Sequence, residues 1–291
     1  MTEPLSREEY VEQAYLFRAL AERIDASLPI QDLLLQTREE LLATTKAPLA
    51  VDVLLTELKH TGLMGEAMRR LKHYFAPFQA FVLTEAETHQ GRFDVVTAVE
   101  ILRYEADYRA GSPSQQGLFL YQFEVLCRNR LSYDRGLAAM AEDPAYDLKW
   151  RTFLSSIRRQ MGMFDLADMI YVRSEFYVLR QKQLGKELPG PEFPPLFGEK
   201  EGRIALANRR KDPLYLFSAM QRHLSYPAVP KRKKYDDSQQ QMELLVRKLE
   251  RIEARLKILD EEQRGGLDLQ KFYKANVSRA PQAPDDIIDL S

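Results

Sequence analysis

The chain has 291 residues, of which 45% are hydrophobic and 29% are charged. This length can bury the core of one large domain or two small ones, and the composition excludes a mini-protein, a wholly disordered chain, a collagen-like repeat and a membrane protein. The formal net charge of −1 conceals an uneven distribution, because residues 199–235 contain ten Lys or Arg against three acids. That segment carries +7 and the remainder −8, so the neutral average does not describe the local surface.

The first 185 residues repeat apolar side chains at steps of three and four, which is the period of an α-helix. Ser6 and Glu9 have the spacing of a capping box and predict a first helix over about 6–25. Pro29 and Pro48 stand where proline is favoured, just inside a helix start. They predict the beginnings of the second and third helices.

Glycine and aspartate residues predict further helix ends and starts along the chain. Gly62 is predicted to end the third helix, and Asp94 is predicted to cap a later one. Further helices are predicted over about 115–131, 145–161 and 164–184. No run of four to eight residues alternates as a strand does. The predicted fold class is therefore all-α, built as an antiparallel helical bundle or as stacked helical hairpins.

Two short segments share one pattern. Gly91-Arg-Phe-Asp-Val and Gly162-Met-Phe-Asp-Leu both read Gly-x-Phe-Asp-apolar, and Ala167 and Tyr171 extend the second copy. The second copy resembles the second helix of a tetratricopeptide repeat, which implies stacked helical hairpins, although the preceding helices lack that family's Trp, Leu, Gly and Tyr pattern. The other interpretation is that glycine ends one helix, aspartate caps the next, and phenylalanine packs the hairpin against its partner.

Proline-rich and charged segments divide the predicted chain into six parts. Residues 186–198 hold four prolines and two glycines and cannot be helical, whereas Asp212-Pro213 fits an N-cap followed by proline. The parts are a helical domain (1–185), a proline-rich linker (186–198), a basic helical extension (199–229), a basic linker (230–240), a coiled coil (241–264) and a flexible acidic tail (265–291).

The coiled coil is predicted from apolar residues that alternate in steps of three and four. The a and d positions are Met242, Leu245, Leu249, Ile252, Leu256 and Leu259. This run covers almost three heptads and predicts self-association, with a dimer as the default. Leu244, Val246 and Ile258 widen the apolar stripe, so the alternative is an amphipathic helix that docks on the chain's own helical domain.

The charges that flank the seam favour a parallel pair. Lys248 and Arg255 occupy g positions, and Glu253 and Asp260 occupy e positions. In a parallel pair each g residue meets the partner's following e residue, so Lys248 faces Glu253 and Arg255 faces Asp260. An antiparallel pair would bring the acidic e positions toward each other.

The basic segment suggests a second function. Its candidate polyanion-binding residues are Arg209, Arg210, Lys211, Lys231, Arg232, Lys233 and Lys234. Such a surface could contact the phosphates of nucleic acid, but the segment supplies no base-reading or stacking side chains, so binding would be non-specific and sensitive to salt. A solvated basic linker is the other interpretation.

The tail suggests a docking peptide. Ile287, Ile288 and Leu290 are apolar and lie among aspartates, and this pattern resembles acidic, apolar tails that add a strand to a partner's sheet, including SUMO-interaction motifs. The same residues are also compatible with an unoccupied solubilising tail.

No spacing indicates catalysis, a cofactor or a metal. The chain lacks a cysteine pair, His-Glu-x-x-His, Gly-x-Ser-x-Gly, a phosphate-binding glycine loop and a dinucleotide turn. We therefore expect a non-catalytic interaction or scaffold protein that binds itself and a further protein partner. An enzyme is the remaining alternative, if Glu100, Arg103, Glu105, Arg128 and Arg130 converge in the bundle.

A single cysteine, Cys127, and an opening segment without a basic and apolar leader predict a cytoplasmic protein. No run approaches the roughly 18 apolar residues of a spanning helix, so we expect no membrane partner.

Overall fold

A computed structural model describes residues 4–24, 29–88, 93–111, 113–185, 190 and 193–231. Within these ranges the chain forms thirteen α-helices and no β-strand. The predicted all-α class is confirmed. The predicted coiled coil (241–264) and acidic tail (265–291) lie outside the described residues.

The helices are α1 Arg7–Arg23, α2 Ile30–Glu40, α3 Ala47–Thr61, α4 Gly65–Arg70, α5 Pro77–Glu87, α6 Val95–Ala110, α7 Gln115–Asn129, α8 Tyr133–Glu142, α9 Leu148–Gln160, α10 Leu166–Val172, α11 Glu175–Gln183, α12 Glu199–Ala207 and α13 Pro213–Leu224. None of them combines the length and the apolar character needed to cross a bilayer.

Local capping chemistry fixes most of the helix starts and stops. The Ser6 hydroxyl accepts from Glu9 N at 3.4 Å, and the Asp94 carboxylate accepts from Thr97 N at 2.7 Å. Gly62 ends α3 with a φ of 75°, a left-handed conformation that glycine adopts without strain. These predicted boundaries are confirmed because each depends on residues within one helical turn.

The predicted helix over 164–184 is instead two helices. α10 stops at Val172 and α11 starts at Glu175, with Ser174 as the N-cap whose hydroxyl accepts from Tyr177 N at 3.2 Å. Two short helices, α4 and α8, were not among the predicted elements. The α4 start is capped from another helix, because the Glu87 carboxylate accepts from Met64 N at 2.6 Å.

Sequential hairpins account for only part of the packing. α2 packs on α3, α4 on α5 and α8 on α9, but the most extensive contact joins α1 to α6. Helix α13 returns to pack on α7, and the Tyr226 hydroxyl just beyond it donates to Glu124 Oε2 at 2.8 Å. The chain thus closes on itself through pairs that are distant in sequence.

A buried polar network lies at the centre of the bundle. Arg109 forms ion pairs with Glu105, at 2.8 Å, and with Asp143. Gln122 donates to Glu105 Oε1 at 2.7 Å and accepts from the Tyr146 hydroxyl at 2.7 Å. Because buried charges are costly unless paired, this arrangement fixes α6, α7 and the segment after α8 in one register.

The described part of the predicted proline-rich linker is packed against the helices. Leu196 N and Phe197 N donate to the Arg173 carbonyl oxygen at 2.8 and 3.1 Å. The Phe197 ring lies 5.3 Å from the Trp150 ring and 5.8 Å from the Phe153 ring, between centroids. Residues Met1–Arg232 form one compact unit, so α12 and α13 of the predicted basic extension belong to the same unit as the helices before them.

The close approach of α12 to the α10–α11 break predicts an unusual effect of alanine. A Cβ on Gly202 would lie 2.2 Å from Ser174 Oγ and 2.7 Å from Phe176 Cβ. We expect Gly202→Ala to lower the unfolding free energy by about 1–3 kcal/mol, although helix propensity alone favours alanine by about 1 kcal/mol.

Urea denaturation measures this effect, with Gly190→Ala as the control because a Cβ there meets nothing within 4 Å. A Gly202→Ala protein as stable as its parent, or more stable, would contradict the packing described here.

Candidate functional site

A pocket of about 260 Å³ opens between α9 and α10. Its walls are mainly apolar and comprise Phe153, Ile157, Phe164, Met169, Val172 and Phe193. Four polar residues complete the lining: Ser156, Gln160, Asp168 and Arg173. Apolar walls with a few polar groups are typical of binding sites in folded proteins.

The turn between α9 and α10 brings Phe164 to the mouth of this pocket. Gly162 adopts a φ of 84° in the turn, and the Asp165 carboxylate caps α10 by accepting from Ala167 N at 3.2 Å. Between them Phe164 is left 58% exposed. Met163 beside it is also exposed, so the turn presents large apolar side chains to solvent.

The α10–α11 break positions the opposite wall. Because the Arg173 carbonyl accepts from Leu196 N and Phe197 N, the chain that begins at Phe193 is held alongside the end of α10. Phe193 is 54% exposed and contacts the pocket through its ring. The glycine-proline segment therefore supplies one wall of the pocket.

Arg173 carries the distinctive chemistry of the site. Its guanidinium carbon lies 5.5 Å from the ring centroids of both Phe153 and Phe193, and the residue is only 7% exposed. Burial lowers the pKa of this guanidinium, which still remains protonated at neutral pH. In the part of the chain that the structure describes, no carboxylate or hydrogen-bond acceptor contacts it, and its Nε is buried without a partner.

Two other described arginines with little exposed surface are paired. Arg109 lies between Glu105 and Asp143, and Arg128 forms an ion pair with Glu124. A buried N–H group without an acceptor costs about 1–3 kcal/mol. Arg173 is therefore held at a cost to stability, and such costs are typical of functional positions.

The acidic group of the pocket is already neutralised. Asp168 forms an ion pair with Arg209, whose guanidinium carbon also lies 5.7 Å from the Tyr171 ring centroid. Arg209 is one of the predicted polyanion-binding residues, and this pairing engages it with the protein itself. The described lining residues and Arg209 together thus carry a net positive charge.

The other predicted basic residues that the structure describes, Arg210, Lys211 and Lys231, are exposed. Arg210 adopts a φ of 59° in the turn before α13, and its backbone N donates to Asp165 Oδ2 at 2.8 Å. Arg232, Lys233 and Lys234 lie outside the described residues, as do all the predicted coiled-coil residues and the tail residues Ile287, Ile288 and Leu290.

The five residues of the alternative catalytic cluster occupy separate surroundings. Glu105 is fully buried with Arg109, and burial raises the pKa of its carboxyl although the guanidinium opposes this. Arg128 pairs with Glu124 on α7, and Arg103 pairs with Asp107 at 3.9 Å.

Arg130 is exposed and ends α7 in a left-handed conformation, while Glu100 is half-buried on α6. In the part of the chain that the structure describes, no hydrogen bond or ion pair joins any two of these five residues, so the convergence that the enzyme alternative requires is not seen there. Among the described residues, no three His, Cys, Asp or Glu side chains are grouped so that they could hold a metal ion.

A second pocket, of about 340 Å³, lies between α5 and α8. Its charged groups are paired: Arg135 contacts Glu85 at 2.8 Å, and Lys72 contacts Glu142 at 4.0 Å. Burial raises the pKa of the Glu85 carboxyl, and Arg135 opposes that shift. This pocket offers a ligand no uncompensated buried charge, so the α9–α10 pocket is the better candidate.

The lone thiol is a packing residue rather than a reactive one. Cys127 accepts a hydrogen bond from the Tyr133 hydroxyl at 3.3 Å. Burial raises the pKa of the Cys127 thiol to about 11, so the nucleophilic thiolate is scarce at neutral pH.

One sequence feature, the second Gly-x-Phe-Asp segment, contributes a residue to the pocket although it was not predicted to form a binding site. The two Gly-x-Phe-Asp segments predict that both phenylalanines pack against a neighbouring helix. Phe93 does so and is buried, whereas Phe164 in the second copy is exposed at the pocket. The local pattern is the same, so the difference depends on what each phenylalanine meets in three dimensions.

When the chain is compared with protein-family models, with curated proteins and with solved structures, none of them matches it.

The different surroundings of Arg173 and Arg109 predict that the same substitution changes the unfolding free energy by different amounts at the two positions. We expect Arg173→Met to leave the unfolding free energy within about 1 kcal/mol of the parent, or above it, because a desolvated charge is replaced by an apolar side chain. Arg109→Met leaves two buried carboxylates without their partner and is expected to cost about 3–5 kcal/mol.

Urea denaturation of both variants compares the two effects under identical conditions. A loss for Arg173→Met as large as that for Arg109→Met would mean that Arg173 stabilises the fold.

Proposed function

We propose that this protein is a non-catalytic interaction protein that holds a partner protein at the α9–α10 pocket and self-associates through residues 241–264. The observation that carries the proposal is an open apolar pocket whose wall contains Arg173, with its Nε buried and without an acceptor among the described residues. The helical unit supplies the binding surface, and the coiled coil multiplies it.

The exposed surface around the pocket supports binding of a protein. Phe164, Phe193, Met163 and Val172 are all large, apolar and exposed. Clustered exposed apolar residues at a pocket mark interaction sites more often than solitary ones do. Aromatic rings at the rim suit a partner that extends beyond the pocket itself.

The state of the described carboxylates favours binding over acid–base catalysis at this pocket. Asp168, the pocket's own acidic residue, forms an ion pair with Arg209. Glu105 has a raised pKa but is closed off with Arg109 and Gln122, where no substrate reaches it. A general acid or base needs access to the reacting atom as well as a tuned pKa.

Self-association rests on the sequence pattern of residues 242–259. Its unbroken steps of three and four and its attractive g-to-e charges favour a parallel pair. Two copies of the chain would present two pockets. If both are engaged on one target, the second binding event becomes intramolecular and the avidity exceeds the affinity of either site.

Light scattering on the full chain tests the assembly. We expect a mass of twice 33.8 kDa, and the monomer mass for a chain ending at Gln240. In the full chain, Leu249→Glu with Leu256→Glu is expected to give the monomer, because two charges enter the apolar seam.

The matched control is Leu244→Glu with Ile258→Glu, which adds the same charges off the seam. It should leave the dimer in place at the same protein concentration. A full chain that is already monomeric, or a control pair as disruptive as the seam pair, would contradict the proposed assembly.

A further inference from the structure

The missing hydrogen-bond acceptor of Arg173 indicates which chemical group a ligand of the α9–α10 pocket would carry. The guanidinium has five N–H donors and lies between the rings of Phe153 and Phe193. Its Nε is buried, and no acceptor contacts the group in the described part of the chain. A carboxylate fits this geometry better than a neutral acceptor, because arginine binds it through two parallel hydrogen bonds.

The apolar lining adds a second requirement. Phe153, Ile157 and Met169 surround a space of about 260 Å³, which suits one large side chain rather than a whole drug-sized ligand. Phe164 and Phe193 extend the apolar surface outward from this space. An occupant must therefore place an apolar group and a carboxylate side by side while continuing across the rim.

The other charges near the pocket agree with an anionic occupant. Among the described lining residues Asp168 is the only carboxylate, and its ion pair with Arg209 cancels its repulsion of an anion. The nearby Ser156 and Gln160 can donate hydrogen bonds to a bound acidic group. Among the described lining residues, Arg173 can therefore bind an anion, and the one carboxylate, Asp168, is already paired.

We propose that the α9–α10 pocket binds a peptide segment of a partner protein in which a large apolar side chain adjoins Asp or Glu, with Arg173 holding the carboxylate. This inference rests on the proposed function and names the chemistry of the partner. The apolar side chain enters between Phe153, Ile157 and Met169, and the flanking backbone crosses Phe164 and Phe193.

Selection from a random library of twelve-residue peptides on the full chain tests the proposal. We expect the enriched peptides to pair an aromatic or aliphatic residue with Asp or Glu. The best peptide is then synthesised with a fluorophore, and its affinity is measured by fluorescence polarisation, in which the peptide is monovalent. A second version of it carries Asn or Gln in place of its acids.

Arg173→Gln is expected to weaken binding of the acidic peptide about 10- to 100-fold, which corresponds to the loss of a charge-assisted hydrogen bond. The Asn or Gln version should bind the parent chain as weakly as the acidic peptide binds Arg173→Gln. Arg159→Gln is the control, because Arg159 lies exposed on α9 and outside the lining. It should leave the affinity unchanged.

Phe164→Ala is a second pocket variant that should fold normally, because this exposed residue contributes little to the core. It should reduce the affinity of the same peptide while leaving the circular dichroism spectrum and the thermal transition unchanged. Equal binding to the parent chain and to both pocket variants would overturn the proposal.

Two further outcomes would also overturn it. One is enrichment of basic or uncharged peptides, or of none. The other is saturable binding of 3-phenylpropionate that requires Arg173 without any peptide enrichment, which would assign the pocket to a small carboxylate. The dimer measurement is independent: a dimer without peptide binding rejects only this inference, and peptide binding by a monomer rejects only the assembly.

Discussion

The Arg173 carbonyl organises the C-terminal half of the described fold. By accepting from Leu196 N and Phe197 N, it joins the end of α10 to a segment more than twenty residues later in the chain. This contact places Phe197 among the rings of Trp150 and Phe153 and Phe193 at the pocket. The backbone of one residue thus positions the segment that covers its own side chain.

The same break explains why α12 approaches so closely. Ser174 turns the chain from α10 into α11, and its hydroxyl donates to the Tyr171 carbonyl oxygen at 2.6 Å. Gly202 packs directly over this turn, where a side chain would meet Ser174 and Phe176. Arg173 therefore sits in a rigid corner, which holds its guanidinium between two rings instead of letting it extend into water.

The elements that sequence predicts well are those fixed by neighbouring residues. Ser6, Asp94 and Asp212 each cap a helix with their own side chain, and this chemistry is visible in the sequence. The break at Ser174 has a local cap too, but it is also held by hydrogen bonds from Leu196 N and Phe197 N to the Arg173 carbonyl oxygen, which no local pattern contains.

The α9–α10 pocket could not be predicted from the sequence because it too depends on contacts between distant residues. Its residues come from α9, α10 and the segment at Phe193, so the pocket exists only after these parts pack together. An unpaired arginine looks like any solvated one in a sequence, because burial decides whether it needs a partner. Prolines correctly excluded a helix over the described residues 190 and 193–198, but they did not reveal that Leu196 and Phe197 are buried.

The most direct measurement of the central claim is the nuclear magnetic resonance signal of the Arg173 Nε–H group, assigned by its absence from Arg173→Lys. If Arg173 binds the carboxylate of the peptide, the chemical shift of this signal should change progressively as the selected acidic peptide is added. It should stay constant when the version that carries Asn or Gln is added. A signal that does not respond to a saturating amount of acidic peptide, or that responds equally to both versions, would contradict this account.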